Sequence, residues 1–397
     1  LFAGLLAREL SPDPRAPLYA GLLTAASPML YLTGAMALPD APVIAAYTAA
    51  LWLIARTRGG GGRWVWAGVA VGIALVSKYT AALLAPALVG LAVWDRELRR
   101  ELRTPWPWIG GAVAVLVFLP TLLWDASRGF PSIGFQLHHG FRSGATLRSF
   151  AEFVGAQVGG AGPVAIALGI AVLVRARSSP ERRVAAAALL PLAITVYANT
   201  RGSGEANWPA IAYPALAAAA ASLLVRLRPG RALVWGSVAL MVIVAAFFAA
   251  EQRNPRLLAG TSAYARFHGW RELVEKTRAE IASVCASEGQ RCDPDDPFIY
   301  PSTYRYSGEL AYYGRWRRIG AAHGRLSQLD VWGQTPQPDE TFFHVGDEEW
   351  ALGEFLPHVA AERAGDTRRV TVEDGGHLLR QALITPFRAF AGADFGR

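Results

Sequence analysis

Lysine is almost missing from the first 250 residues: Lys78 is the only one there, and every other fixed cation is Arg. Cysteine is scarce too, with two residues, Cys285 and Cys292, both in the second part. Two Cys with no nearby His make half a zinc site at best. In an extracytoplasmic compartment a disulfide closing the small loop between them is the competing expectation. Residues 1–30 do not read as a secretory signal. There is no nucleotide-binding glycine motif, no HExxH and no GxSxG elbow. The glycine run 59–62 has no GK[ST] after it, so it reads as a flexible loop and not a phosphate cradle. No metal ligand set is therefore assigned, no cofactor is certain, and a divalent metal stays open.

What the chain has in quantity is apolar surface, 52% of 397 residues, with 13 Trp. Nine apolar runs occur at 18–38, 41–55, 64–77, 80–94, 107–124, 159–174, 184–199, 209–225 and 232–250. A membrane span needs about 20 residues, fewer where flanking side chains snorkel. Sixteen Arg cluster in every second gap: 8–15, 56–63, 96–103, 175–183 and 226–231. The other gaps hold only Lys78, Arg128, Arg142, Arg148 and Arg201. Cytoplasmic loops carry excess Lys and Arg, so the expectation is a multi-pass inner-membrane protein. Asp40, Lys78, 125–152 and 199–209 then lie on the far side, the bacterial periplasm or its equivalent. The first 250 residues carry 21 Lys+Arg against 10 Asp+Glu, the remainder 18 against 21. The basic balance thus belongs to loops facing anionic lipid, and no nucleic-acid partner is implied.

Two domains are expected: 1–250, a membrane domain of about nine complete spans plus a partial first helix, and 251–397, a periplasmic α/β domain. The chain opens inside an apolar stretch ending at Arg8, which reads as the tail of a helix begun upstream. Residues 64–94 read as a hairpin turning at Lys78, because one long helix would put a basic cluster on the wrong side. Segment 145–158 has helical apolar spacing and reads as a helix lying in the interface. Beyond Glu251, residues 264–288 read as helix. Short strand-like runs at 298–300, 341–345 and 369–372 alternate with helical stretches at 307–313 and 348–361.

Four far-side places can carry chemistry. Asp40 sits between two prolines in a turn of a few residues, close to lipid, where a charge is costly and often functional. Its bland alternative is a helix cap. Lys78 is a compact ammonium with three donors, suited to a phosphate at headgroup level; the alternative is a snorkelling anchor beside Tyr79. The loop with Trp124, Asp125, Arg128, Gln136, His138 and His139 offers aromatic faces and polar groups suited to a sugar. Glu205, Asn207 and Trp208 stand at a span entrance, where capping and an aromatic belt are the bland reading.

These residues, in this order, resemble a family. The motifs are Leu38-Pro39-Asp40-Ala41-Pro42, Gly72 through Thr80 around Ser77-Lys78-Tyr79, Trp124-Asp125 with Phe135-Gln136, and Glu205-Ala206-Asn207-Trp208-Pro209. Tyr304 with Glu309 to Tyr313, and Ser327 to Trp332, add to them. The chain is similar to bacterial glycosyltransferases of the GT-C fold, related to protein O-mannosyltransferases and lipid A aminoarabinose transferases. The resemblance implies a polyprenyl-phosphate sugar donor and an extracytoplasmic lipid, glycan or protein acceptor. It implies a supporting catalytic part for Asp40, at the family's second acidic position; the usual catalytic Asp belongs to a loop ahead of the helix in which this sequence opens, and is missing here through truncation or genuine loss. Substrate binding is implied for Lys78, Tyr79, Trp124, Asp125, Gln136, His139, Glu205, Asn207 and Trp208. Trp124-Asp125 replaces the more usual Trp-Asn. A transporter or flippase of lipid-linked glycans, and an inactive partner subunit, are the alternatives. A transporter should carry ionisable groups at helix midpoints, whereas here nearly all charges sit at span ends.

Overall fold

The computed structural model describes residues 1–36, 38–56, 60–134, 146–201, 205–254, 257, 262–265, 267–288, 292–321 and 328–394. The chain divides into two units, Leu1–Phe247 and Phe248–Arg397.

The first unit is helical. Trp106–Ala126, Ser179–Arg201 and Gly230–Arg253 are each long and apolar enough to cross a membrane. Leu147–Ala161 and Pro163–Leu173 would add a fourth crossing if taken as one span bent by 95°. Ala16–Ala25, Asp40–Ala55, Gly62–Ser77, Tyr79–Ala92 and Trp208–Leu224 are apolar but shorter. Outward side chains such as Leu116 and Ile243 are each 64% exposed, as lipid-facing residues of a multi-pass membrane protein are.

Nine runs were expected as spans, and several are broken by their own Pro and Gly. The first run splits at Ser27, whose hydroxyl accepts from Leu30 N at 3.3 Å to cap the helix Pro28–Ala35. The sixth bends at Gly162, where φ is 91° and Pro163 starts the next helix. Segment 145–158 does form a helix, Leu147–Ala161, with Thr146 and Ser149 as a capping box. Gly62–Ser77 ends at Lys78, and a 3-10 turn Tyr79–Leu83 leads into Leu84–Ala92.

Small residues let the helices approach closely. A Cβ on Gly68 would stand 2.0 Å from the Gly110 carbonyl oxygen, and one on Gly169 would stand 2.5 Å from that of Leu216. Packing without a hydrophobic driving force relies on such contacts in lipid. The Ala-rich helix Tyr213–Leu224 is buried along almost its whole length for the same reason.

The basic gaps meet one another. The fully buried Arg183 donates to the Ile54 carbonyl at 2.9 Å, to Glu101 at 2.8 Å and to Ser179 Oγ at 3.2 Å. Glu101 also accepts from Arg63 and, at 2.9 Å, from Trp64 Nε1. Asp95 accepts from Leu98 N at 2.8 Å, Ser179 Oγ at 3.1 Å and Arg182 Nε at 2.9 Å. Burial alone would raise the Asp95 pKa, but these donors hold it below the ordinary range. Arg15 reaches the Val225 carbonyl at 2.9 Å, joining the first and last basic gaps.

The second unit packs helices against a sheet of order β1-β2-β5-β3, with β4 also on β5. The strands are β1 Ile299–Pro301, β2 Phe342–Gly346, β3 Val359–Arg363, β4 Arg368–Asp374 and β5 His377–Ala393. β1 and β2 are parallel, joined by a crossover containing Tyr304–Gly314; the other pairs are antiparallel. Phe298, Tyr300, Phe342, Phe355 and Phe387 form one aromatic core cluster. Two expectations change here. Residues 359–361, read as helix, open β3, because the helix Glu349–Phe355 stops at Leu356–His358. The helix expected over 264–288 is interrupted at Gly269, where φ is 79°, and runs from Trp270 to Glu288. Cys285 and Cys292 are disulfide-bonded and buried.

Candidate active site

Asp40 opens the helix Asp40–Ala55 behind Pro39, whose fixed φ suits a helix start. Its carboxylate does not cap that helix. Oδ1 accepts from Lys78 Nζ at 2.8 Å, and Oδ2 accepts from Asn207 Nδ2 at 3.0 Å. The Asp40 side chain is 9% exposed and that of Lys78 is 21% exposed. Three residues from three separate gaps between apolar runs therefore meet at one point.

Local structure explains the meeting. Lys78 follows Ser77 with φ −160° and ψ 132°, so the chain leaves the helix at the residue that carries the ammonium. Asn207 precedes the 3-10 helix Trp208–Ala212 and makes no capping bond to it, which leaves its amide for Asp40. The fixed N–H dipoles of the helix start also favour the carboxylate. Lys78 spends one of its three donors on Asp40; the others have no partner among the described residues. That suits an anion brought beside it.

Two side chains not singled out from the sequence support the cluster. Gln157 donates to the carbonyl of Ala206, next to Asn207, at 3.1 Å. The Tyr213 hydroxyl donates to Gln157 Oε1. The signal was a lone amide on an otherwise small and apolar helix face, and an OH inside an apolar run.

The remaining candidates stand apart. Tyr79 packs edge-on against Phe118, ring centroids 5.7 Å apart. Trp124 lies under Arg128, 4.4 Å from the guanidinium carbon. Asp125 is fully buried; Oδ1 accepts from Ser132 N at 3.0 Å, and Oδ2 has no partner among the described residues. No described hydrogen bond or ion pair links Tyr79, Trp124 or Asp125 to Asp40. Glu205 is exposed, and its carbonyl accepts from Trp208 N at 3.1 Å. Gln136, His138 and His139 lie outside the described residues. Among the described residues, no group of three or more His, Cys, Asp or Glu could hold a metal ion.

A helical membrane unit with an anion-ready Lys–Asp–Asn cluster, followed by a sheet-bearing unit, defines a recognisable class. Residues 4–124, which include Asp40 and Lys78, match the family model for dolichyl-phosphate-mannose-protein mannosyltransferase. The fold is that of ArnT from Cupriavidus metallidurans, in crystal structures of its apo state and bound to undecaprenyl phosphate. Each has a TM-score of 0.58 and 17% identity, covering 97% of this chain and 81% of ArnT. No curated protein matches the chain by sequence.

Proposed function

We propose that this chain is a membrane glycosyltransferase that moves a sugar from a polyprenyl-phosphate donor to an extracytoplasmic lipid, glycan or protein acceptor. It works at the periplasmic face of the inner membrane. The observation that carries the reading is the Lys78–Asp40–Asn207 cluster, of which Asp40 and Lys78 lie in the segment 4–124 that matches the mannosyltransferase family model. ArnT, whose fold the chain shares, binds undecaprenyl phosphate.

In the transfer, the bond between the sugar's anomeric carbon and the phosphate oxygen breaks. The acceptor hydroxyl oxygen forms the new bond and gives its proton to a carboxylate. Charge grows on the departing phosphate, where the remaining Lys78 donors meet it. In this geometry Asp40 holds the ammonium in place, through the bond that Oδ1 accepts from Lys78. Asn207 fixes the second oxygen and so the carboxylate plane.

The test uses the full-length protein in lipid nanodiscs with radiolabelled polyprenyl-phosphate sugars and envelope extract as acceptor. Label should pass to a non-polyprenyl product in wild type and not in Lys78→Met. Movement of intact donor between leaflets without bond cleavage would make the protein a transporter. Donor binding without either would make it an inactive partner subunit.

A further inference from the structure

In the second unit, β1 and β2 lie side by side and parallel, and each runs into a helix at its carboxyl end. β1 continues through Ser302 and Thr303 into Tyr304–Gly314, and β2 through Asp347 and Glu348 into Glu349–Phe355. Ligands of open α/β sheets bind in the crevice outside the carboxyl ends of parallel strands. A cleft of about 410 Å³ opens there, lined by Tyr304, Arg305, Asp347, Glu348, Arg380 and Gln381 among others. Small-ligand sites run from about 300 to 1,000 Å³.

The lining is held in place. Asp347 Oδ1 accepts from Ser302 Oγ at 3.1 Å, and its carbonyl accepts from Gln381 Nε2 at 2.6 Å. The Arg380 guanidinium stacks 3.4 Å from the centre of the Trp270 ring, and its Nε donates to the His268 carbonyl at 2.8 Å. Burial lowers the Arg380 pKa to about 10, which leaves it charged at neutral pH. Thr303 caps the helix that begins at Tyr304, by accepting from Tyr306 N at 3.4 Å. Tyr304 itself is 54% exposed.

The mixture of charges selects the ligand. A phosphate entering the cleft would meet the carboxylates of Asp347 and Glu348. A bare cation would meet Arg305 and Arg380. Hydroxyl groups both donate and accept, so a polyhydroxyl ring satisfies the two sets at once, and its C–H face suits the exposed ring of Tyr304.

We propose that this cleft binds a saccharide unit of the acceptor, so that the acceptor is itself a glycan or glycolipid. Its assignment to the acceptor rests on the glycosyltransferase reading; the binding of saccharide does not. The full-length protein in nanodiscs is titrated calorimetrically with phosphate-free oligosaccharides released from bacterial envelope glycans. At least one should bind, and Tyr304→Ala and Asp347→Asn should each weaken it by at least about fivefold. Lys78→Met should bind it as wild type does. If Tyr304→Ala does not fold, as judged by its unfolding midpoint, Arg305→Ala at an exposed position carries the same expectation. Absence of binding by wild type, wild-type affinity in the cleft variants, or displacement by inorganic phosphate would each overturn the proposal. Saccharide binding without any transfer would instead remove the enzyme reading and keep the cleft.

Discussion

Two helices, Asp40–Ala55 and Gly62–Ser77, are clasped near both ends, and the two clasps differ in kind. One joins Arg63, Glu101, Asp95, Arg182 and Arg183, with the Ile54 carbonyl, Ser179 and Trp64 completing their bonds. The other joins Lys78, Asp40 and Asn207, and leaves two ammonium donors over. Planar guanidinium groups suit multidentate pairing with carboxylates and carbonyls, and Arg183 is spent on its protein partners. A single Lys on a single Asp is held but not spent. The first arrangement fixes helix ends; the second fixes them and keeps capacity for an anion.

The largest effect is expected where the comparison predicts pure structure. Arg183→Met removes the donor of Glu101 Oε1 and of the Ile54 carbonyl, while Glu101 Oε2 keeps Arg63 and Trp64, so it should cost about 3 kcal/mol of stability, the low end for a broken buried pair. Thermal unfolding of the detergent-solubilised protein measures it. The fraction that still folds should bind undecaprenyl phosphate normally; a stable variant with weakened binding would erase the distinction between the clasps. Lys78→Met reverses the pattern. Its affinity for undecaprenyl phosphate should fall at least about thirtyfold, about 2 kcal/mol, while the protein still inserts and loses less stability than Arg183→Met, because Asp40 keeps its bond from Asn207. Unchanged affinity would reduce Lys78 to an anchor.

Asp40→Asn keeps shape and removes charge. Turnover should fall at least about tenfold, or about 1.4 kcal/mol in barrier, with weaker donor binding alongside it. A fall in turnover at unchanged donor affinity would make Asp40 a proton acceptor and not a holder of Lys78. Asn207→Ala removes a single neutral donor, and about a threefold loss of affinity is expected. The smallest effect concerns pH. The Asp95 pKa is lowered in the folded protein, so its stabilising share is present above the ordinary carboxylate value. It is lost as pH falls through the lowered value. Asp95→Asn should therefore flatten the acid limb of the stability profile below about pH 4 and leave donor binding alone. An unchanged acid limb would show that Asp95 is no part of the structural clasp.

Much of the candidate cluster was legible because rare residue types stood in short polar gaps. Lys78 was visible as a lone Lys among Arg, and Asp40 as a lone acid between prolines. Their contact was not, since it depends on where two helix ends fall in space. Asn207 was read as one of three candidates in its gap, and geometry separates it from the exposed Glu205. Gln157 escaped notice because a single amide on a small-residue helix carries no pattern. In the second unit the longest strand, β5, was missed. Its Arg and Ala residues obscure the alternation, although Asp374-Gly375-Gly376-His377 is a two-residue hairpin turn with φ of 56° and 80° at its glycines.

The central claim is that Asp40 acts on the donor through Lys78. A double-mutant cycle measures it, with affinity for undecaprenyl phosphate determined in nanodiscs for wild type, Lys78→Met, Asp40→Asn and the double variant. The account predicts that, once Lys78 is gone, Asp40→Asn causes no further loss, giving a coupling of about 1 kcal/mol or more. Losses that simply add would mean that Asp40 and Lys78 meet the donor independently, and would contradict it.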